Sequence, residues 1–165
     1  MKHLFSPWRS QYIHSLADNK KSHPNDCFIC DAVNLENQEK ELLIVARRSL
    51  CIVIMNKYPY NSGHVLVCPK RHISNYFDFT AHELTEIIQT TQDITNVMDE
   101  IMKPHGYNIG INIGHAAGAG LPQHLHYHIV PRWNGDCNFI STLADIKIIS
   151  EAIEETRFKL SEALK

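Results

Sequence analysis

The sequence predicts an α+β protein: an antiparallel sheet of about five strands, with one long helix and a second, C-terminal helix packed on it. Three observations predict it. Short apolar segments with the period-2 alternation of strands recur at 42–46, 50–56, 64–69, 107–113 and 124–130. One long run of helical periodicity, Thr80 to Met102, separates the first three of these from the last two. A second amphipathic stretch, Ser150 to Leu164, follows them all.

Each element has a local reason. Met1 to Asn25 is mixed and polar around Pro7-Trp8-Arg9 and Tyr12-Ile13, and reads as an arm lying on the body. Cys27-Phe28-Ile29-Cys30 comes next, then an acidic, amide-rich linker from Asn34 to Glu41. The segments Leu42 to Ala46 and Leu50 to Asn56, joined by Arg47-Arg48-Ser49, read as a hairpin. Tyr58-Pro59-Tyr60-Asn61-Ser62-Gly63 is a turn-rich loop, and His64 to Pro69 the next strand. Thr80-Ala81-His82-Glu83 has the form of a capping box at the start of the long helix. Leu84, Ile87, Ile88, Thr91, Ile94, Met98, Ile101 and Met102 make its apolar stripe, and Pro104 with Gly106 stops it. Tyr107 to Ile113 alternates again; the small-residue loop Gly114 to Gly120 leads into Gln123-His124-Leu125-His126-Tyr127-His128-Ile129-Val130-Pro131.

The whole chain, 165 residues and 44% hydrophobic, fits one domain. Residues 1–25 form the arm, 26–140 the core and 141–165 the C-terminal helical segment. A formal net charge of −2 gives no global field to recruit nucleic acid or an anionic membrane. No segment has signal-peptide or membrane-spanning character, so a soluble, cytoplasmic protein is expected. Five cysteines without a secretion signal argue against a disulfide framework. Cys51 and Cys68, within apolar runs, suit small core hydrophobes.

The histidine row carries the chemistry. Alternation with Leu125, Tyr127 and Ile129 sends His124, His126 and His128 to one face, about 6.6 Å apart at the extended rise per residue. Such a row can be solvated surface, or part of a metal site, although three rings on a flat strand diverge from one ion. The glycine-rich loop just before it favours a third reading. Free amides and close backbone approach hold phosphate oxygens, so loop and row together point to phosphoryl chemistry with a histidine nucleophile. Separately, Cys27-x-x-Cys30 has a spacing that suits zinc, with His23 one available third ligand. A redox pair is less favoured, because no strand and helix are expected to flank it; unliganded thiols are the remaining reading.

His-φ-His-φ-His-φ-φ over His124 to Val130 resembles the signature of the histidine-triad (HIT) superfamily of nucleotide hydrolases and transferases. Asn112-Ile113-Gly114-His115-Ala116-Ala117-Gly118 is similar to that family's N-x-G-x-x-A-G, and Asn56, Pro59, Gly63 and His64 to its N…P…G-H-x-L-V segment. Pro131-Arg132 is similar to its usual continuation, and the resemblance spans roughly Cys27 to Phe139. Pro7-Trp8-Arg9, Tyr58 to His64, Pro104 to Asn108 and Pro131 to Asp136 most resemble the diadenosine-polyphosphate phosphorylase branch. So does the Gly118-to-His124 interval, one residue longer than in the commoner hydrolase pattern. One departure is Gly120, where a phosphate-contacting serine is expected.

The resemblance implies a HIT-like fold, a homodimer, and cleavage of dinucleoside polyphosphates through a nucleotidyl-histidine. His126 would be the nucleophile and His128 a donor to a non-bridging or leaving oxygen. Amides around Ala117 to Gly120, thus Gly118, Ala119 and Gly120, would hold phosphate oxygens. Asn56 matches a ribose-contacting position, and His64, Asn112 and His124 positions lining the nucleotide site; apolar walls around Ile52, Ile54 and Val65 would hold an adenine-type base. The resemblance also implies a structural zinc on Cys27, Cys30, His72 and His124. Alternatives within the fold are a hydrolase or a purine-nucleotide phosphoramidase; outside it, a nucleotide-binding protein with little turnover.

Overall fold

The computed structural model describes residues 27–137 and 149–165, so the N-terminal arm expected over 1–25 lies outside the described residues. The elements are α1 (Phe28–Asn34), β1 (Ile44–Arg47), β2 (Cys51–Met55), β3 (Val65–Pro69), α2 (Ala81–Ile101), β4 (Gly106–Ile111), β5 (Tyr127–Arg132) and α3 (Ile153–Ala163). The five strands form one antiparallel sheet in the order β1-β2-β3-β5-β4. The expected α+β architecture is present.

Alternation along the strands builds two cores, one on each face. Val53, Met55, Val65, Val67, Tyr127 and Ile129 pack with Ile87, Ile94 and Met98 of α2 and Leu160 of α3. On the other face Ile44, Ile52, Ile54, Leu66 and Cys68 pack with Cys27, Ile29 and Ala32 at α1. All five residues of β2 are therefore buried, as are all five of β3. Along β5, Tyr127 and Ile129 point to the α2 face, so the histidines emerge on the α1 face.

Two elements differ from the sequence reading. Helix α1 stands over the Cys27-x-x-Cys30 stretch, where no element was expected, and ends where the linker from Asn34 begins; its N-cap is Cys27. Seven residues are too few for periodicity to declare itself; only Ile29 and Ala32, one turn apart, are buried. In α2 the capping box at Thr80 and Glu83 is formed, but Ile88 and Ile101 are exposed. Thr90, outside the expected stripe, is buried beside Thr91, which was in it, the Thr91 hydroxyl donating to the Ile87 carbonyl at 2.8 Å.

The loop before β3 is pinned to the end of β5. Asn61, buried, donates to the Pro131 carbonyl (3.0 Å) and to Asp136 (2.8 Å), which in turn takes two bonds from Arg132. Gly63 has φ of +76°, a conformation that favours glycine, and a Cβ there would press on the flexible end of the Met102 side chain at 2.8 Å. Among the described residues no helix is long and apolar enough to cross a membrane.

Candidate active site

The three histidines of the row have separate surroundings. His124 and His126 precede the first residue of β5, and only His128 lies within the paired strand. The His126 and His128 rings are 4.9 Å apart, closer than a flat strand would hold them. His124 turns instead to His72, centroids 4.9 Å apart.

Partners of fixed polarity decide the tautomers, since a carbonyl can only accept and a backbone amide can only donate. His126 Nδ1 lies 2.9 Å from the His124 carbonyl oxygen, so Nδ1 carries the hydrogen and Nε2 keeps its lone pair. His124 Nε2 lies 2.9 Å from the Pro69 carbonyl, which leaves its Nδ1 unprotonated. The Tyr60 amide donates to His64 Nδ1 at 3.0 Å. His64 Nε2 must then be the donor to His128 Nδ1, 2.9 Å away. That places the remaining hydrogen of His128 on Nε2, 3.5 Å from the Asn112 side-chain nitrogen, which is itself a donor, so the two do not bond in this arrangement. The site thus presents one free ring lone pair, on His126, beside one ring N–H, on His128.

Burial keeps these rings neutral. It lowers His128 to about 4, helped by the neighbouring His126, and His64 to about 3, helped by His128 and His126. Burial also pushes His126 down, against the His124 carbonyl bond.

His64, wholly buried, does not reach the surface; its expected place lining the site is a place behind His128. Asn56 closes a turn, its side-chain oxygen accepting from the Tyr58 amide at 2.9 Å, while its amide nitrogen lies 3.3 Å from His64 Nδ1. Gly118 has φ of +82° and donates its amide to the His115 carbonyl (2.9 Å), and Ala117 donates to Gly114, so those two amides close a short 3-10 turn. Ala119 and Gly120 follow that turn. Beside His128 the space is open: a Cβ at its register partner Gly110 would meet nothing within 4 Å. The residues expected to hold a base are all core. Val65 belongs to the opposite core, and Ile52 and Ile54 are sealed in the core with α1, because adjacent strand residues face opposite ways. The sequence reading missed Tyr60, whose half-exposed ring stacks on His128 with centroids 5.9 Å apart; its one signal is an aromatic in the turn before His64.

Cys27, Cys30, His72 and His124 converge, their ligand atoms all within 4.8 Å of one another. His124 Nδ1, the unprotonated nitrogen, is 3.2 Å from Cys27 Sγ and 3.6 Å from Cys30 Sγ; His72 Nδ1 is 3.2 Å from Cys30 Sγ. Two thiols and two imidazoles, one oriented by a backbone carbonyl, fit a tetrahedral zinc with no open position.

The family model described as HIT domain matches residues 37–135. The chain belongs to the HIT family. Among curated HIT relatives it is similar to the AP-4-A phosphorylase of Mycobacterium tuberculosis, 37% identical over 161 residues, covering 95% of this chain and 81% of that one. It is also 37% identical over 83 residues to the bis(5'-adenosyl)-triphosphatase of Dictyostelium discoideum, covering 50% of this chain and 55% of that protein. Among solved HIT structures, a Zn-bound histidine triad family protein from Mycobacterium smegmatis matches with TM-score 0.67 and 27% identity, over 84% of this chain and 93% of that one.

Proposed function

We propose that this HIT protein is an enzyme that cleaves dinucleoside polyphosphates at the α-phosphate, passing through a nucleotidyl group on His126. One observation carries the assignment: the His124 carbonyl holds the Nδ1 hydrogen of His126 and leaves Nε2 as a nucleophile. Nε2 attacks the α-phosphorus, forming a P–N bond as the bond to the bridging oxygen breaks. The positive charge that develops on the ring is stabilised through Nδ1–H by the same carbonyl. His128 Nε2–H donates to a phosphate oxygen, and the amides of Ala119 and Gly120 hold equatorial oxygens. A polyphosphate leaves without a strong general acid, which suits a site whose histidines are neutral. The similarity to named AP-4-A phosphorylase and triphosphatase relatives supports this substrate class.

Three further assignments belong to the same reading. Asn56, half-buried, lies toward the ribose. Zinc on Cys27, Cys30, His72 and His124 is structural and ties the start of α1 to the chain entering β5. The protein is a homodimer through the β4 edge, where Ile109 and the following Ile113 are half-exposed.

The test is incubation with diadenosine tetraphosphate, with and without inorganic phosphate, followed by acid-free quenching and intact-mass analysis. A nucleotidyl adduct absent from His126→Ala is expected. ADP plus ATP only with phosphate present identifies phosphorolysis; AMP plus ATP without it identifies hydrolysis, the outcome favoured by Gly120, which brings no hydroxyl to a second phosphate. Full activity in His126→Ala would overturn the mechanism.

A further inference from the structure

We propose that Cys27 and Cys30 form a peroxide-sensitive dithiol whose oxidation to a disulfide releases the metal and slows nucleotidyl transfer to His126. The inference rests on the metal and nucleophile assignments above and adds a regulatory modification to them.

The geometry joins two sites through one residue. The His124 ring belongs to the Cys27–Cys30–His72 cluster, while its backbone carbonyl fixes the nucleophile at 2.9 Å. Held at both ends, by the cluster at Nδ1 and by Pro69 at Nε2, the ring fixes the main chain that carries that carbonyl. The main chain adds a long bond from the His124 amide, 3.4 Å to Leu121, and a 2.8 Å bond from the Leu125 amide, in the same peptide unit as that carbonyl, to Ile73. The cysteines are one helical turn apart at the start of α1, and their sulfurs are already within 4.8 Å. The two differ in access: Cys27 is buried, whereas Cys30 is partly exposed beside the exposed His72.

That asymmetry orders the chemistry. The Cys30 thiolate attacks a peroxide oxygen, the O–O bond breaks, and water leaves after protonation, giving a sulfenic acid. The Cys27 thiolate then attacks the Cys30 sulfur; the S–S bond forms, and the sulfenic oxygen leaves as a second water. Two thiolates, one hydrogen peroxide and two protons yield one disulfide and two waters, the sulfurs oxidised and the peroxide reduced. Both anionic donors are consumed. The two neutral imidazoles that remain, one of them exposed, do not retain the ion. The His124 ring is then tethered by Pro69 alone, and the carbonyl behind His126 keeps that tether and the Leu125 amide's bond to the Ile73 carbonyl but loses the cluster.

The experiment uses zinc-loaded, reduced full-length protein titrated with hydrogen peroxide. Zinc release is followed with a chromophoric chelator, the Cys27–Cys30 link by peptide mass mapping, and adduct formation on His126 by quenched intact mass. About one zinc released per chain, in step with the disulfide and with a roughly tenfold or greater fall in nucleotidylation rate, is expected, all reversed by dithiothreitol and zinc. Chelator treatment under reducing conditions should produce the same fall without a disulfide. Cys30→His, which keeps a ligand but cannot form the disulfide, should keep its rate through the peroxide titration. Disulfide formation and zinc loss with an unchanged rate would overturn the coupling. Equal loss of rate in Cys30→His would place the oxidation elsewhere and overturn it too. Untreated protein that forms no adduct overturns the mechanism of the preceding section; untreated protein that forms it, but is indifferent to oxidation, overturns this inference alone.

Discussion

A single imidazole in this site is useful only in one tautomer, and each tautomer is set by an atom that can play only one role. The Tyr60 amide can only donate, so His64 must pass its hydrogen to His128; the His124 carbonyl can only accept, so His126 must expose Nε2. His64→Phe keeps a flat ring, somewhat larger than imidazole, and removes the bond to His128. It is expected to lower kcat by about a hundredfold, the lower range of acid–base contributions, with KM little changed because His64 is buried behind the site. Steady-state kinetics with diadenosine tetraphosphate check this; an unaltered kcat sinks the relay. A pH dependence follows from the same burial. His128 is held down to about 4, below the ordinary 6.5, so it stays neutral on acidification. Nucleotidylation should hold level from pH 8 to below 6.5 and fall as His126, the nucleophile, and His128 are protonated, both being held down by burial, measured as the initial rate of adduct formation.

At the scale of elements, α2 shows how one carboxylate can serve two neighbours. Glu83, buried at the helix start, accepts from the Thr80 amide and takes two 2.8 Å bonds from Arg71, two residues beyond β3. The Arg71 guanidinium holds its carboxyl at about 2, against the opposing effect of burial. The folded state therefore binds this proton less readily than the unfolded chain. The resulting stabilisation is complete above the ordinary value of about 4.5 and is lost as pH falls through about 2. Glu83→Ala removes the reciprocal cap and the ion pair, and should cost about 1–2 kcal/mol at neutral pH. Denaturant titration at pH 7 and at pH 3 checks it: the gap between wild type and variant should narrow at the lower pH. Sequence announced this helix well, since Thr80 and Glu83 are three residues apart and the cap is local. It gave the buried face less well, because Ile87 and Ile88 read alike until β2, β3 and α3 select Ile87.

On the scale of the whole molecule, the sheet has two edges, and among the described residues a helix packs against the β1 edge. β1 is packed against α3, with Arg157 of α3 donating to the Ile44 carbonyl at 3.0 Å. β4 carries the half-exposed Ile109 at the opposite edge. If two chains join there, Ile109→Arg with Ile113→Arg should halve the mass in light scattering, each side chain contributing about 2 kcal/mol of apolar burial. A wild-type protein that is monomeric at micromolar concentration would refute the dimer.

By itself the sequence determined which chemistry the chain carries: alternation and spacing are local rules, so the histidine row, the small-residue turn before it and the Cys-x-x-Cys pair can be read from neighbours alone. Only the tertiary structure decided which ring does what. Cys27 reaches His124 across 97 positions and His64 reaches His128 across 64, and those meetings depend on α1 covering one face of the sheet and on the pairing of β3 with β5. A tautomer is a property of a hydrogen-bond partner, and here the partners that set His64 against His128, and His124 against Pro69, come from distant parts of the chain.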